Sequence, residues 1–265
     1  MWCKMKKIAY LIPLFSICMA IHGAELSKRF DWGTILATPP GTDLRHGNQI
    51  LHFKAVNKPY SEDETSVAFV NKYLSQAKVL HSDAEAIRFA SDQVTLEGTY
   101  IELGVCSGRT ISFIAALNPY KKIYGFDSFE GFPEEWVRPD YKFPKGTFAF
   151  KTPEVLPPVV HNVEIIRGWF AETLPEFHKS HKEEPIAFLH VDCCLYSSTV
   201  TAFEALGDRI GPGTIILFDE FYNYPNAEEN EFRAFQEFLE KRGFKADYLA
   251  FNDMHEQVVV KILAR

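Results

Sequence analysis

Five short, continuous runs of apolar residues alternate with segments of helical periodicity through the middle of the chain. Strands that are covered on both faces give such runs, and parallel neighbours need a crossover connection that is usually a helix. The alternation therefore predicts an α/β fold with a mostly parallel sheet and helices on both of its faces. The predicted strands are Thr99–Val105, Lys122–Asp127, Val163–Arg167, Ile186–Asp192 and Thr214–Asp219.

Apolar residues recur at helical spacing before and between these strands. The predicted helices are Ser61–Leu80, Asp83–Ala90, Gly108–Leu117, Val200–Ile210 and Glu228–Arg242. Two alternating runs then close the chain, Lys245–Phe251 and Gln257–Leu263, and they predict an antiparallel hairpin at the edge of the sheet. We expect one domain, residues 81–265, preceded by an irregular and helical extension at residues 25–80.

The first residues have the pattern of an export signal. Lys6 and Lys7 precede an uncharged stretch, Ile8–Ile21, and Ala24 stands at a plausible cleavage point. The stretch is shorter than the roughly 20 residues of a membrane-spanning helix. We therefore expect residues 1–24 to be removed on export to the periplasm or the medium, which leaves no stable membrane span. An uncleaved anchor and a cytoplasmic protein are the alternatives.

Composition narrows the class of protein. With 46% hydrophobic and 24% charged residues in 265, the chain is typical of globular proteins and long enough to bury a full core. A formal net charge of −7 argues against a nucleic-acid partner. The cysteines have neither the number nor the spacing of a disulfide framework or a zinc site.

The carboxyl ends of the predicted strands are the places to look for a ligand, because open α/β sheets bind ligands there. Gly104 and Gly108 follow the first strand and allow the backbone to turn tightly and approach a ligand at a helix N-terminus. Asp127 ends the second strand, about 20 residues after this loop, where a carboxylate can accept both hydroxyls of a ribose. An ordinary strand-to-helix turn and an Asp-capped turn are the alternatives.

Three carboxylates follow the fourth and fifth strands. Asp192 ends one strand, and Asp219 and Glu220 end the other, so all three are expected on one rim of the sheet. Carboxylates this close raise one another's pKa unless a cation neutralises them, and a set of oxygen ligands suits Mg²⁺, Ca²⁺ or Mn²⁺. The pattern indicates a divalent cation, with helix capping and salt bridges as the alternative.

Five motifs in this order carry a resemblance. They are Ile101–Val105, Gly125–Gly131, Gly168–Pro175, Asp192–Thr199 and Asp219–Glu220. Their order and spacing resemble the macrocin-type O-methyltransferase family, whose members are class I enzymes dependent on S-adenosyl-L-methionine. The resemblance extends from about Leu80 to Gly243. It implies a Rossmann-like, seven-stranded fold and transfer of a methyl group to a hydroxyl of a sugar or other small molecule, with Mg²⁺ holding the acceptor.

The resemblance also implies roles for individual residues. The metal ligands that it implies are Asp192, Asp219 and Glu220. The cofactor-binding residues that it implies are Glu102, Gly104, Ser107, Gly108, Asp127, Ser128, Gly168, Trp169 and Asp192. This chain departs from the family at two positions, because Cys194 replaces a second acid and Glu220 stands where Asp is frequent. Both departures weaken the expectation of metal dependence.

The catalytic candidates are Asp192 and His190, which pleat alternation places on the same face. A buried structural histidine is the alternative for His190. Lys142, Lys145 and Tyr222 are further candidates for a general base. Aromatic residues that suit an acceptor ring, or that simply pack the loops together, are Trp136, Tyr141, Phe143, Phe148, Tyr222 and Tyr224.

Two other functions stay open at this point. Gly104 to Gly108 also fits the nucleophile elbow of an α/β-hydrolase, with Cys106 as nucleophile and Asp219 and His255 following in the required order. A binding module that holds the cofactor without catalysis is the second, since S-adenosylmethionine is made in the cytosol and export would separate the protein from it. A homodimer is an option, because residues 25–80 can cover the pocket of their own subunit or of a neighbour.

Overall fold

The computed structural model describes residues 44–46, 49–51, 64–139, 142–152 and 154–265. The predicted export signal, residues 1–24, and most of the predicted extension, residues 25–80, lie outside the described residues. None of the helices in the described part of the chain has the length and apolar character needed to cross a membrane.

Within these residues the chain forms an eight-stranded central sheet and two small two-stranded sheets. The strands are β1 (Leu44–His46), β2 (Gln49–Leu51), β3 (Lys78–Leu80), β4 (Thr99–Leu103), β5 (Ile123–Asp127), β6 (Trp136–Val137), β7 (Lys142–Phe143), β8 (Val163–Arg167), β9 (Ile186–Val191), β10 (Ile215–Phe218), β11 (Lys245–Asn252) and β12 (Val258–Leu263). The helices are α1 (Glu64–Phe69), continued by a π-helical turn at Val70–Leu74, α2 (Asp83–Asp92), α3 (Arg109–Leu117), α4 (Phe170–His181), α5 (Tyr196–Leu206) and α6 (Glu231–Arg242).

The order of the central sheet is β3-β11-β12-β10-β9-β4-β5-β8. All neighbours are parallel except β12, which runs antiparallel to both β11 and β10. Strands β4, β9 and β10 are buried along their whole length, as expected for strands covered on both faces. Helices α4, α5 and α6 contribute to the apolar layer on one face, and α2 and α3 contribute to the other. The predicted Rossmann-like α/β fold is confirmed.

The structure corrects three details of the prediction. The segment predicted as one helix, Ser61–Leu80, ends in strand β3, which pairs in parallel with β11. The central sheet therefore has eight strands instead of seven, and the β11–β12 hairpin lies one strand in from the edge. Helix α4 was absent from the predicted helices, and it contains Pro175, a residue that normally interrupts a helical pattern.

Chain connectivity locates the natural ligand site of this sheet. From β4 the chain proceeds outward through β5 to β8, and it then returns to β9 on the other side of β4 and continues to β10. The crevice between β4 and β9 is therefore a topological switch point, and ligands of open α/β sheets bind outside the carboxyl ends of the strands at such a point.

Candidate active site

The glycine loop after β4 lies directly against the end of β9. The Asp192 backbone N–H donates to the Leu103 carbonyl over 2.9 Å. Gly104 has a φ of +94°, and a Cβ atom there would lie 1.8 Å from the Asp192 carbonyl oxygen. Only glycine fits this position, because the backbone conformation and the close approach both exclude a side chain. Gly104 thus holds the loop and the Asp192 segment together.

Asp127 binds the backbone of two loops. Its Oδ2 accepts hydrogen bonds from the amides of Val105 (2.9 Å) and Cys106 (2.8 Å), and its Oδ1 accepts one from the amide of Phe129 (2.7 Å). The capped turn considered above is therefore present, and Asp127 also orients the glycine loop. A carboxylate has about four acceptor positions, so binding of a ribose at Asp127 stays a prediction.

The remaining predicted cofactor residues lie along the same edge. Gly108 has a left-handed backbone and starts α3 without a side-chain cap, which leaves amides of the first turn available to an anion. The Gly168 amide donates to the Asp127 carbonyl over 3.0 Å. Ser128 is buried and accepts from the Glu130 amide (3.1 Å), while Ser107 and Trp169 are partly exposed.

His190 sits in the centre of a buried acidic cluster. Its Nδ1 lies 2.9 Å from Glu102 Oε2, and its Nε2 lies 3.9 Å from Asp219 Oδ1. Glu102 Oε1 also accepts from the Thr110 hydroxyl over 3.0 Å. Burial alone would lower the pKa of His190, but the neighbouring carboxylates of Asp219 and Glu102 raise it well above its ordinary value. His190 Nε2 is buried and has no hydrogen-bond partner among the described residues.

The three predicted metal ligands fall into two overlapping groups beside His190, and Asp192 belongs to both. Potential ligand atoms of His190, Asp192 and Asp219 lie within 4.8 Å of one another, and so do those of Asp192, Cys194 and Glu220. Burial, followed by repulsion from Asp219, raises the pKa of both Asp192 and Glu220 well above the ordinary range. Burial opposes the ionisation of Asp219 as well, but His190 and His255 outweigh it and lower the pKa of Asp219.

Two residues of this cluster were missed by the sequence analysis. Glu231, at the start of α6, is fully buried and accepts from the backbone amides of Cys194 and Glu220, each over 3.2 Å. Burial raises the pKa of Glu231 to about 8. Gln257 donates from Nε2 to Asp219 Oδ1 over 2.6 Å. An acid in the first turn of a helix is common, so Glu231 did not stand out in the sequence. Gln257 is 38 residues away from Asp219, so no local motif connects the two.

The donor set fits a hard divalent cation. Glu220 Oε2 is buried and has no hydrogen-bond partner among the described residues, which is costly unless another group satisfies it. The cluster contains several carboxyl groups around a single imidazole. Carboxylate oxygens are the preferred ligands of Mg²⁺ and Mn²⁺, and the softer Cys194 thiol at the edge of the cluster is buried, which raises its pKa.

The other candidates for a base lie in different settings. The Tyr222 hydroxyl is buried and donates to the Asn252 carbonyl over 2.6 Å. Lys142 and Lys145 are exposed, and the Lys142 ammonium lies 3.8 Å from a carboxylate oxygen of Glu135.

Several aromatic residues of the insertion after β5 pack on one another. Trp136 stacks on Phe143 with 5.0 Å between ring centroids, and Phe148 stacks on Phe143 and meets Phe132 edge to face. Arg138 forms a two-pronged ion pair with Glu256 and lies 4.1 Å above the ring of Tyr224. Loop packing therefore accounts for these residues, while Tyr141 lies outside the described residues.

The loop around Cys106 can be compared with the nucleophile elbow of the hydrolase alternative. Cys106 is exposed and has a φ of +44°, as an elbow residue would. The amides of Val105 and Cys106 both donate to Asp127, so this loop is tied to the end of β5. In the described part of the chain only β3 precedes β4 in the central sheet, whereas a hydrolase elbow follows a strand with several before it.

Comparison with known proteins supports the predicted enzyme class. Residues 101–221, a little under half of the chain, match the family model described as "Methyltransferase domain". The match runs from β4 to the loop after β10, so the matched segment contains all the predicted site residues, from Glu102 to Glu220. This similarity agrees with the prediction of a methyltransferase.

Two similar proteins are informative. The chain is 26% identical over 142 residues to 8-demethyl-8-(2,3-dimethoxy-alpha-L-rhamnosyl)-tetracenomycin-C 4'-O-methyltransferase of Streptomyces olivaceus. The aligned part is 47% of this chain and 53% of the relative, so the chain spans about half the length of that curated protein. The crystal structure of CalS11, a calicheamicin methyltransferase, has the same fold, with a TM-score of 0.55 and 20% identity over 92% of this chain and 99% of the other.

Proposed function

We propose that this chain is an S-adenosyl-L-methionine-dependent O-methyltransferase of the macrocin type, which methylates a hydroxyl group of a sugar or other small molecule with the help of a divalent cation. One observation supports this most. In the segment that matches the methyltransferase model, the ends of β9 and β10 bring Asp192 close to both Asp219 and Glu220, and a buried Glu220 oxygen lacks a partner among the described residues. The Streptomyces relative named above is an O-methyltransferase of a sugar-bearing compound.

The cofactor is expected over the carboxyl ends of β4, β5 and β8, on one side of the crevice between β4 and β9. The uncapped first turn of α3 suits the carboxylate of the methionine part. Asp127 and Gly168 lie at adjacent strand ends, where the ribose and adenine would follow. Asp127 would then serve twice, because it orients the glycine loop and keeps acceptor capacity for a ribose hydroxyl.

The acceptor is expected on the other side of the crevice, over the carboxylate cluster. A sulfonium methyl group is already electrophilic, so the enzyme must align it with the hydroxyl and make that oxygen nucleophilic. A cation held by Asp192, Asp219 and Glu220 would supply the chemistry of lowering the pKa of the hydroxyl. Because His190 is fully buried and bound to Glu102, the half-buried Asp192 is our candidate for the group that accepts the proton of the acceptor.

Calorimetry and a transfer assay test this proposal on the full chain. We expect S-adenosylmethionine to bind, and methyl transfer to a panel of sugars and phenols to require Mg²⁺ or Mn²⁺. Absence of cofactor binding would contradict a methyltransferase. Equal activity in excess EDTA would remove the cation from the mechanism. Cofactor binding without transfer to any acceptor would favour the binding module.

Export and oligomeric state belong to the same proposal. We propose that residues 1–24 direct export and that the mature chain still binds the cofactor. Cell fractionation tests the first point. An antibody against the chain shows which fraction contains the protein, and the apparent mass before and after secretion shows whether residues 1–24 have been removed. Light scattering with and without S-adenosylmethionine tests whether the protein forms the homodimer. A full-length protein retained in the cytoplasm would contradict export.

A further inference from the structure

The turn between β11 and β12 directs a glutamine side chain into the carboxylate cluster. Gln257 immediately precedes β12 and is 2% exposed. Its Nε2 lies 2.6 Å from Asp219 Oδ1. Gln257 lies outside the segment matched by the methyltransferase family model, which ends at residue 221, so the match assigns it no role.

The hydrogen-bond network fixes which way this amide points. The Met254 backbone N–H, which can only donate, lies 3.0 Å from Asn252 Oδ1. Asn252 must therefore turn its NH₂ group towards Gln257, over 2.6 Å, and Gln257 must accept with Oε1. The Gln257 NH₂ group is then left facing Asp219. A flipped amide at either residue would bring two acceptors or two donors together.

The hydrogen bond from Gln257 gives the two carboxylate oxygens of Asp219 different surroundings. Oδ1 accepts from Gln257 over 2.6 Å and lies 3.9 Å from His190 Nε2. Within the described part of the chain, no hydrogen-bond donor reaches Oδ2. One oxygen of Asp219 is thus held by the protein, while the other stays available to a ligand of the cluster.

The turn that carries Gln257 is tied to the same loop as Asp219. The Phe221 amide donates to the Glu256 carbonyl over 3.0 Å, and Asn223 Nδ2 donates to the His255 carbonyl over 3.0 Å. Glu256 in addition forms its buried ion pair with Arg138. The position of Gln257 relative to Asp219 is therefore set by several backbone contacts and not by one flexible side chain.

We propose that Gln257 is a positioning residue that holds Asp219 with one oxygen bound and the other directed to the divalent cation. The inference rests on the proposed function, in which Asp219 is a cation ligand. Partners that orient metal ligands in this way typically change metal affinity 10–100-fold when they are removed. A residue that only closed the β11–β12 turn would affect the whole fold and would not act selectively on the cation.

The test compares the wild-type protein with Gln257→Met, which keeps the length of the side chain but removes both hydrogen bonds. Gln236→Met is the matched control, because Gln236 donates from Nε2 to the Tyr248 hydroxyl over 3.1 Å away from the site. Calorimetry measures binding of Mn²⁺ and, separately, of S-adenosylmethionine, and thermal unfolding reports the fold. We expect Mn²⁺ to bind Gln257→Met about 10-fold or more weakly, with cofactor affinity within about twofold and a Tm close to that of Gln236→Met.

A second variant covers a failure of Gln257→Met to fold. Gln257→Asn keeps a polar amide in the turn but is one methylene too short to reach both Asn252 and Asp219, and we expect the same selective loss of Mn²⁺ affinity. Unchanged Mn²⁺ affinity in the Gln257 variants would overturn the inference alone. A parallel loss of Mn²⁺ binding, cofactor binding and Tm would also overturn it, in favour of a structural role. A wild-type protein that binds no Mn²⁺ would overturn the cation part of the proposed function as well.

Discussion

Replacing Asp83 with asparagine tests how burial sets the charge of an acid next to the site. Asp83 is the first residue of α2, is 9% exposed, and accepts from Asn252 Nδ2 over 3.3 Å. Burial raises its pKa from 3.8 to about 6, a shift that His255 only partly offsets. The folded protein therefore binds this proton more tightly than the unfolded chain does.

The sign and size of the effect follow from linkage. Because the folded-state pKa is raised, the contribution to stability is fully present below pH 3.8 and is lost as the pH rises through about 6. A pKa of about 6 against 3.8 corresponds to about 3 kcal/mol at neutral pH, as an upper value. Asparagine cannot ionise, so Asp83→Asn should be more stable than wild type by up to about 3 kcal/mol at pH 7.5 and nearly equal to it at pH 4.

Urea unfolding of both proteins between pH 4 and pH 8 measures this difference. The other titrating groups are shared, so to first order they cancel when the two free energies of unfolding are subtracted. Asp92→Asn is the control, since Asp92 is exposed at the other end of the same helix, and we expect it to change stability by less than about 0.5 kcal/mol at every pH. A difference between wild type and Asp83→Asn that does not vary with pH would refute the reasoning.

Three further predictions address the loops of the site. Gly104→Ala forces a Cβ into the backbone at the end of β9 and should abolish folding or cofactor binding, whereas Gly211→Ala, with open space around it, should do neither. Thermal unfolding and cofactor titration measure both effects, and equal results for the two variants would contradict the close contact. Arg138→Met leaves Glu256 buried without its partner and should lower the free energy of unfolding in urea by about 3 kcal/mol or more. Adding Glu256→Gln should recover part of this loss, and a double variant no more stable than Arg138→Met would argue against the ion pair. Asp127→Ala removes three backbone hydrogen bonds and should lower both Tm and cofactor affinity; a loss of affinity at unchanged Tm would show that the loops do not depend on it.

The central strands and their ligand-binding edge could be predicted from the sequence. Continuous apolar runs identify β4, β9 and β10, because strands buried on both faces need no polar alternation. The direction of a parallel strand then decides which residues reach the binding edge, and this placed Asp192, Asp219 and Glu220 on one rim. These are local properties of the chain, since each depends on residues within a single strand and its following turn.

Other features depend on contacts between distant parts of the chain. Strand β3 is three residues long and exists because β11 offers it a partner, which a local pattern cannot show. Gln257 reaches Asp219 from 38 residues away, and Glu231 reaches Cys194 from 37 residues away. The sequence by itself determined which carboxylates stand at the strand ends. Only the tertiary structure decided which of them are ionised and which oxygens stay free, because burial and partners set both.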